Sequence, residues 1–315
     1  MSDYKNIVGT AVQNYAGDLP NALEGQVWYN STDKNFKLVL DTPGSWSSSG
    51  VLNTGRNQVA GTGTQTAALG FGGYTDTFVG FTELYNGSSW TEVNDLNTAR
   101  NQSEAAGTQT AALGFGGGAP GDSALTETWN GTNWTEVNAM NTARKRLGGA
   151  GTQTAALGFG GYAGGNRSDL NELWNGTNWT ELNDLNTGRQ GIAGDGTNTA
   201  ALAFGGEVSA KSALTELWNG TNWTEVNDLN ASRQHMAGAG TSTALLAFGG
   251  GNPNTGATEL YNGTNWTEVN DMTTARKYLA GAGTTTSALA FNGDVDPKNH
   301  TEEWVIGLAS RTITS

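Results

Sequence analysis

The sequence contains no cysteine, which excludes disulfides, thiolate metal ligands and cysteine nucleophiles. It has only two histidines and shows no residue spacing typical of a zinc site. No apolar run approaches the roughly 18 residues of a membrane-spanning helix. The first residues, from Met1 to Asn6, lack a basic segment followed by an apolar one, so we expect no secretory signal.

Basic residues are also scarce. The chain has 16 lysines and arginines against 29 aspartates and glutamates, and its formal net charge is −13. An acidic surface repels phosphate backbones and anionic lipids. We therefore expect neither nucleic acid nor a membrane as the main partner.

Glycine and aromatic residues are plentiful instead, and they recur with a fixed period. The 315 residues include 47 glycines, 11 tryptophans, 8 tyrosines and 9 phenylalanines, so the chain is not expected to be disordered. One tryptophan recurs about every 44 residues and an arginine follows each by ten; a phenylalanine and a glutamate keep the same register. The tryptophans are Trp46, Trp90, Trp134, Trp179, Trp223 and Trp266, and the arginines are Arg56, Arg100, Arg144, Arg189, Arg233 and Arg276. Such self-similarity indicates a repeat architecture.

One repeat predicts four short strands, near residues 134–137, 147–150, 154–161 and 170–174. The last strand runs into Asn175-Gly176, a strong hairpin signal for which we expect positive φ at both turn positions. A helical solenoid of the same period is disfavoured, because each glycine costs about 1 kcal/mol in a helix. Four antiparallel strands, repeated six times, predict an all-β fold: a six-bladed β-propeller of four-stranded antiparallel blades.

The repeats also predict the domain boundaries. Residues 45–315 form the expected propeller, whose closing blade combines residues 45–52 with 276–306 and so leaves no unpaired inner edge. Two alternatives are left open for residues 307–315: an added edge strand, or a segment that lies over the closing blade. Residues 1–44 form a separate N-terminal docking segment with a small β-hairpin. That hairpin is too small to hold a core alone, so we expect it to pack on the propeller or on another chain.

The repeats resemble the kelch family. The resemblance rests on the Gly-Gly pairs at 72–73, 116–117, 160–161, 205–206 and 249–250, the aromatic residue of Leu-Tyr/Trp-Asn, and the tryptophan about five residues later. It covers roughly residues 45–306 and implies a kelch-like propeller, although the last repeat reads Phe291-Asn292-Gly293. The segment from Val27 to Lys37 is similar to segments that precede kelch-like repeats in structural proteins of marine phages.

Comparison of the six repeats indicates where a ligand would bind. The turns expected on one face are nearly identical, whereas the loops on the other face and the positions just after each arginine differ. A constant frame with one variable face favours recognition by that face, with neutral drift of the longer loops as the alternative. The candidate ligand-binding residues are Arg56, Arg100, Arg144, Arg189, Arg233, Arg276, Gln58, Gln102, Arg146, His235 and Tyr278.

The six arginines allow two interpretations. A ring of guanidinium groups around a central funnel could bind a carboxylate, sulfate or phosphate, and the kelch resemblance implies such a use in some members. Alternatively, each arginine ties strands together through the glutamates that every repeat also supplies. Six equivalent copies favour the structural interpretation over an asymmetric site.

No enzymatic site is expected. The copper site of some kelch propellers needs histidine ligands and a cysteine-linked tyrosine, whereas this chain has two histidines in different repeats and no cysteine. We expect no cofactor and no metal, and residues 294–299 are interpreted as an acidic surface loop rather than a calcium site. A hydrolase using Arg144, Glu104 and Tyr278 in the funnel stays open as an alternative.

The leading hypothesis is a non-enzymatic phage virion structural protein, such as a tail fibre or a surface-displayed adhesin. It would bind host-surface glycan or protein through the variable face and other virion proteins through residues 1–44, after assembly in the host cytoplasm and release by lysis. The alternatives are a capsid or tail decoration protein without a receptor role, a carbohydrate-active enzyme, and a cytosolic protein-interaction scaffold. Self-association into a homo-oligomer is left open.

Overall fold

The computed structural model describes residues 12–19, 25–41 and 43–313, and these residues form strands joined by turns, without a helix. None of the described segments is therefore a helix that could cross a bilayer. The chain folds into two compact units, Met1–Gly44 with Ile306–Ser315, and Ser45–Val305. Within the described residues we find seven four-stranded sheets and one two-stranded ribbon, an all-β arrangement consistent with a β-propeller.

Six of the four-stranded sheets lie in the unit Ser45–Val305, and in each of them all neighbouring strands are antiparallel. We number them repeat sheets 1 to 6 in chain order. Their first strands are β5 (Ala60–Thr64), β9 (Glu104–Thr108), β13 (Gly148–Thr152), β19 (Ala193–Thr197), β23 (Ala237–Thr241) and β27 (Ala280–Gly283). Their second strands are β6 (Ala67–Phe71), β10 (Ala111–Phe115), β14 (Ala155–Phe159), β20 (Ala200–Phe204), β24 (Ala244–Phe248) and β28 (Ser287–Phe291).

The third strands are β7 (Thr82–Tyr85), β11 (Thr126–Trp129), β17 (Asn171–Trp174), β21 (Thr215–Trp218), β25 (Thr258–Tyr261) and β29 (Thr301–Val305). The fourth strands are β8 (Trp90–Val93), β12 (Trp134–Val137), β18 (Trp179–Glu181), β22 (Trp223–Val226), β26 (Trp266–Val269) and β4 (Ser45–Ser48). The ribbon pairs β15 (Tyr162–Ala163) with β16 (Asn166–Arg167) in a loop of repeat sheet 3.

The burial of the strands follows their composition. Second strands such as Ala-Ala-Leu-Gly-Phe are buried on both faces, whereas fourth strands such as Trp-Thr-Glu-Val bury only the tryptophan fully. The glycine- and alanine-rich first strands lie against one another in series, and β27 lies against β5, so the first strands form a closed cycle. Small residues are needed there because neighbouring sheets approach closely: a Cβ on Gly194 of β19 would lie 2.3 Å from the ring of Phe159 in the preceding sheet.

Aromatic pairs join each sheet to the next one. Phe71 of repeat sheet 1 packs against Trp134 of repeat sheet 2 with ring centroids 4.6 Å apart, and the equivalent pairs continue around the cycle. The remaining pairs are Phe115–Trp179, Phe159–Trp223, Phe204–Trp266, Phe248–Trp46 and Phe291–Trp90. Buried aromatic surface of this kind is a major stabilising contribution at each junction.

The turn between the third and fourth strands differs from the expected two-residue hairpin. In repeat sheet 3 the strands end at Trp174 and begin again at Trp179, so the turn has four residues. The side-chain oxygen of Asn175 accepts the backbone N–H groups of Thr177 and Asn178. Only Gly176 has positive φ, so the expectation of positive φ at both positions is wrong; an asparagine side chain closes the turn instead.

The sixth repeat sheet is assembled from two distant parts of the sequence. Strand β4 pairs antiparallel with β29, which places Trp46 opposite Trp304, and these strands complete the sheet begun by β27 and β28. The buried edge of β29 is thereby covered, as a closed all-β architecture requires.

The other unit contains the remaining four-stranded sheet, in the order β1 (Gln13–Tyr15), β2 (Val27–Asn30), β3 (Asn35–Asp41) and β30 (Leu308–Thr312). The predicted propeller boundary at residue 315 is corrected here, since Ile306–Ser315 belongs to the same unit as the N-terminal residues and β30 pairs with β3. The fourth strand gives the small N-terminal hairpin additional pairing, which an isolated hairpin needs for stability.

Candidate functional site

The six repeat arginines are buried, and each forms an ion pair with the glutamate of the third strand. Their side chains are 0–2 % exposed. The pairs are Arg56–Glu83, Arg100–Glu127, Arg144–Glu172, Arg189–Glu216, Arg233–Glu259 and Arg276–Glu302. The candidate role of these arginines as ligand-binding residues is therefore corrected, because a guanidinium that is buried and paired offers no surface to a ligand.

Each of these glutamates also holds the segment that links two sheets. In repeat sheet 1, Glu83 Oε1 accepts from Arg56, while Oε2 accepts the backbone N–H and side-chain amide of Asn53. The pKa values of Arg144, Arg189, Arg233 and Arg276 are lowered, because the effect of burial exceeds the opposite effect of the paired glutamates. The network fixes the backbone that enters each first strand.

The residue two positions after each arginine adopts a left-handed backbone conformation. The six residues are Gln58, Gln102, Arg146, Gly191, His235 and Tyr278, with φ between 53° and 60°. Positive φ is uncommon for residues other than glycine and costs roughly 1–2 kcal/mol each. Five of the six positions accept this cost and carry five side chains of four different types.

These six residues form a closed ring of backbone hydrogen bonds. Each N–H donates to the carbonyl oxygen of the equivalent residue in the preceding repeat, over 2.9–3.0 Å. The bonds run from Gln58 to Tyr278, Gln102 to Gln58, Arg146 to Gln102, Gly191 to Arg146, His235 to Gly191 and Tyr278 to His235. We call this set the mouth ring, since its side chains line a cavity of about 90 Å³ at one end of the channel between the first strands.

The structure thus brings together the other candidate residues, Gln58, Gln102, Arg146, His235 and Tyr278, around this one cavity. The imidazole of His235 stacks on the ring of Tyr278, with centroids 4.2 Å apart. It also covers Gly191, where an added Cβ would lie 2.6 Å from the imidazole. Glycine at this position therefore provides the space that the imidazole occupies.

Among the described residues that line the mouth, Arg146 is the one arginine or lysine, and the ammonium of Lys277 lies 5.6 Å from the ring centroid of Tyr278. Burial, together with Arg146 and Lys277, lowers the pKa of His235 to about 3, so the imidazole is neutral at physiological pH. Arg146 Nη1 donates to Gln190 Oε1 over 3.1 Å, and its buried Nε has no partner among the described residues. Tyr278 has a raised pKa, chiefly because of burial, and stays protonated.

Two carboxyl groups lie in the channel below the mouth, and sequence reasoning singled out only the first of them. The channel has a volume of about 280 Å³ and contains Glu104 and Asp195. Burial raises the pKa of Glu104 to about 8 and that of Asp195 to about 6. Asp195 accepts the N–H groups of Gly196 and Gly240 and so ties two repeat sheets together, whereas Glu104 also borders the mouth cavity.

The three residues of the hydrolase alternative are not brought together. Glu104 and Tyr278 both border the mouth cavity, but Arg144 is buried against Glu172. In the described ranges no group of three or more histidine, aspartate or glutamate side chains could hold a metal ion. The arrangement offers amide, imidazole, phenol and guanidinium groups for binding.

A second cavity, which sequence reasoning missed, adjoins the mouth. It has a volume of about 270 Å³, shares Gln58, Gln102 and Arg146 with the mouth, and extends to Tyr74 and Phe78. We call it the lateral cleft. Its position depends on loops of two neighbouring repeats, and the only sequence signal for it is glycine at position 118 where the preceding repeat has Tyr74.

Comparison of the chain with protein-family models finds no match, and comparison with curated proteins finds none either.

Proposed function

We propose that the chain is a six-bladed kelch-like β-propeller and works as a non-enzymatic binding protein of a phage virion. Its mouth ring and the surrounding variable loops bind a host-surface glycan or protein. The kelch and phage assignments rest on the sequence resemblance. The binding role rests on the geometry of the mouth.

The observation that carries the binding role is the mouth ring. Six backbone positions are equivalent in conformation and hydrogen bonding, yet their side chains are glutamine, glutamine, arginine, glycine, histidine and tyrosine. A purely structural requirement for positive φ favours glycine at every copy. Retaining larger side chains at a conformational cost is the pattern expected where those side chains contact a ligand.

The sheet of the other unit supports a docking role for the N-terminal segment. Phe36 lies opposite Tyr29 in the β2–β3 pairing, and Ile313 donates its backbone N–H to Phe36. Phe36 and Ile313 are 47 % and 45 % exposed, and a docking contact would cover them. We propose other virion proteins as its partners, and a second copy of the chain as an alternative.

Two experiments test the function. Mass spectrometry of purified particles should detect the chain in stoichiometric amounts; its absence from particles removes the virion assignment and favours a cytosolic scaffold. Fluorescently labelled protein should bind host cells, and the double variant His235→Ala/Tyr278→Ala should lose at least tenfold in affinity while it stays folded at the assay temperature, as thermal unfolding would show. Unchanged binding by that variant would show that the mouth is not the binding site.

Turnover on a glycan panel tests the enzymatic alternative. Glu104 borders the mouth with a carboxyl group that is protonated at neutral pH, which is the state required of a general acid. We expect no product at micromolar protein. Turnover that disappears in Glu104→Gln would replace the binding role by a catalytic one.

A further inference from the structure

The lateral cleft lies between two loops of neighbouring repeats, and both are held in place by backbone pairing. Tyr74 exchanges two backbone hydrogen bonds with Asn57, and Gly118 exchanges two with Asn101. The loop that carries Tyr74 turns back at Phe78 through a further bridge. The walls of the cleft are therefore preformed, which reduces the entropic cost of binding.

The cleft exists at this boundary because a side chain is missing. At the position directly after the Gly-Gly pair, repeat sheet 1 has Tyr74, whereas repeat sheet 2 has Gly118 and therefore no side chain. A Cβ on Gly118 would approach the side-chain oxygen of Asn101 at 2.9 Å, so even alanine intrudes on the amide that lines the cleft. Gly251 of repeat sheet 5 is different, since the carbonyl oxygen of Pro253 lies 2.5 Å from the equivalent Cβ position and the loop fills the space.

Aromatic side chains form one wall of the cleft. The rings of Tyr74 and Phe78 meet edge to face, with centroids 5.8 Å apart, and both remain partly exposed. Pro120, from the loop of the neighbouring repeat, also lines the cleft. An apolar wall formed by a tyrosine and a phenylalanine is suited to the C–H face of a sugar ring, while the phenol group adds a polar edge.

Polar groups line the rest of the cleft, and one of them is a guanidinium with N–H donors left without partners among the described residues. Asn101 donates to Gln58, and Lys145 forms an ion pair with Asp122 over 3.0 Å. Arg146, in contrast, forms no ion pair with any carboxylate of the described residues, and its one side-chain hydrogen bond there is to an uncharged amide. A guanidinium has five N–H donors in a planar fork that matches a carboxylate.

We propose that the lateral cleft binds an acidic sugar of the uronic-acid type, with its carboxylate on Arg146 and its ring against Tyr74 and Phe78. This inference rests on the proposed function and names the chemical class of its ligand. An extended acidic peptide is the less suitable occupant. The backbone groups of Tyr74 and Gly118 are already paired, so the walls offer no free strand edge to a peptide main chain.

The test uses the full chain and an immobilised panel of uronic-acid oligosaccharides. Each sugar is paired with its carboxyl-reduced neutral form, and a triglutamate peptide is included as a separate arm. We expect at least one acidic member to bind ten times more tightly than its neutral form. Arg146→Gln should remove that preference, and Tyr74→Ala or Phe78→Ala should weaken binding of both forms at least fivefold.

Matched variants keep the test falsifiable. Lys211 occupies in repeat sheet 4 the bridge position that Phe78 occupies in repeat sheet 1, so Lys211→Ala should bind like the unaltered chain. Tyr74→Phe should retain binding if the ring is what matters. No acidic preference anywhere on the panel, tighter binding of the peptide, or an unchanged preference in Arg146→Gln would each overturn the inference.

The failure of this inference differs from failure of the proposed function. Cell binding that depends on His235 but is unaffected by Arg146→Gln and Tyr74→Ala preserves the function and removes the acidic-sugar cleft. Absence of binding to cells, glycans and proteins removes both.

Discussion

Trp223 lacks the hydrogen bond that its five equivalents make, because Asn171 occupies the position where the other repeats have threonine. Trp46, for example, donates its indole N–H to the hydroxyl of Thr258, and Trp179 donates to Thr126. The indole nitrogen of Trp223 and the side-chain oxygen of Asn171 are both buried and without partners in the described part of the chain. A buried polar group left unpaired costs about 1–3 kcal/mol.

Asn171→Thr should therefore stabilise the protein. The variant restores the threonine hydroxyl and gives up one bond, from the Asn171 amide to the carbonyl oxygen of Asn183. We expect a gain of about 1 kcal/mol in the free energy of unfolding, measured by urea denaturation. The reverse change, Thr126→Asn, should lower stability by a similar amount; a lower stability of Asn171→Thr would contradict the assignment.

Loss of a buried, ion-paired arginine should cost much more stability than loss of the arginine at the mouth. Arg144→Ala leaves Glu172 buried without its counter-ion and should cost about 3–5 kcal/mol of unfolding free energy. Arg146→Ala, two residues later, removes only a bond to Gln190 and should change stability by less than about 1 kcal/mol. Equal losses in the two variants would show that Arg146 also supports the frame.

The left-handed backbone of the mouth ring should be measurable as strain. Gln102 has a φ of 53°, so Gln102→Gly should hold or raise stability by up to about 1 kcal/mol. Gln102→Val should lower it by about 1–2 kcal/mol, because a β-branched residue tolerates positive φ poorly. The comparison is made by thermal unfolding, and a glycine variant clearly less stable than the valine variant would contradict the strain.

Glu104 should make the fold less stable as pH rises. Its folded pKa of about 8 lies above the usual value of 4.5, so the folded state resists ionisation, and stability falls between about pH 4.5 and pH 8. Glu104→Gln removes that loss, and at pH 8.5 it should exceed the unaltered chain by about 2 kcal/mol, allowing for the side of the carboxyl that faces the channel. At pH 4 the two proteins should match, and parallel curves over the whole range would sink the assignment.

Asp195 gives this measurement an internal reference. Its pKa is raised to about 6, so the ionisation of Asp195 lowers the stability of the fold between about pH 4 and pH 6. This loss occurs in Glu104→Gln as well. The difference between the two proteins should therefore continue to grow above pH 6, where Asp195 has already ionised.

The sequence predicted the strands far better than the site. The period of Trp134 and Phe159 marks the fourth and the second strand of each repeat, because these side chains occupy equivalent packing positions in all copies. Strand β30 carries no repeat signal, and it forms because β3 offers a free edge. Six equivalent copies favoured the structural role of Arg144, but the sequence did not identify its partner, because Glu172 lies 28 residues away and approaches only in the folded sheet.

The mouth residues were identified through their variation, but their conformation was not. Nothing in a glutamine such as Gln58 signals positive φ, and only Gly191 belongs to a residue type that favours it. The conformation is imposed by the ring of hydrogen bonds, which joins residues more than 40 positions apart. The lateral cleft escaped prediction for the same reason, since it depends on how two loops from different repeats face each other.

The pairing of β4 with β29 has a consequence for how the molecule is made. The first partner of this pair is synthesised early, at Ser45, and the second only at Thr301. During translation, five sheets can form before the last strand is made, because Trp46 pairs with Trp304, more than 250 residues downstream. A chain interrupted before that point lacks the sixth sheet, so Trp90 lacks its partner Phe291, and transiently exposed apolar surface of this kind is prone to aggregation.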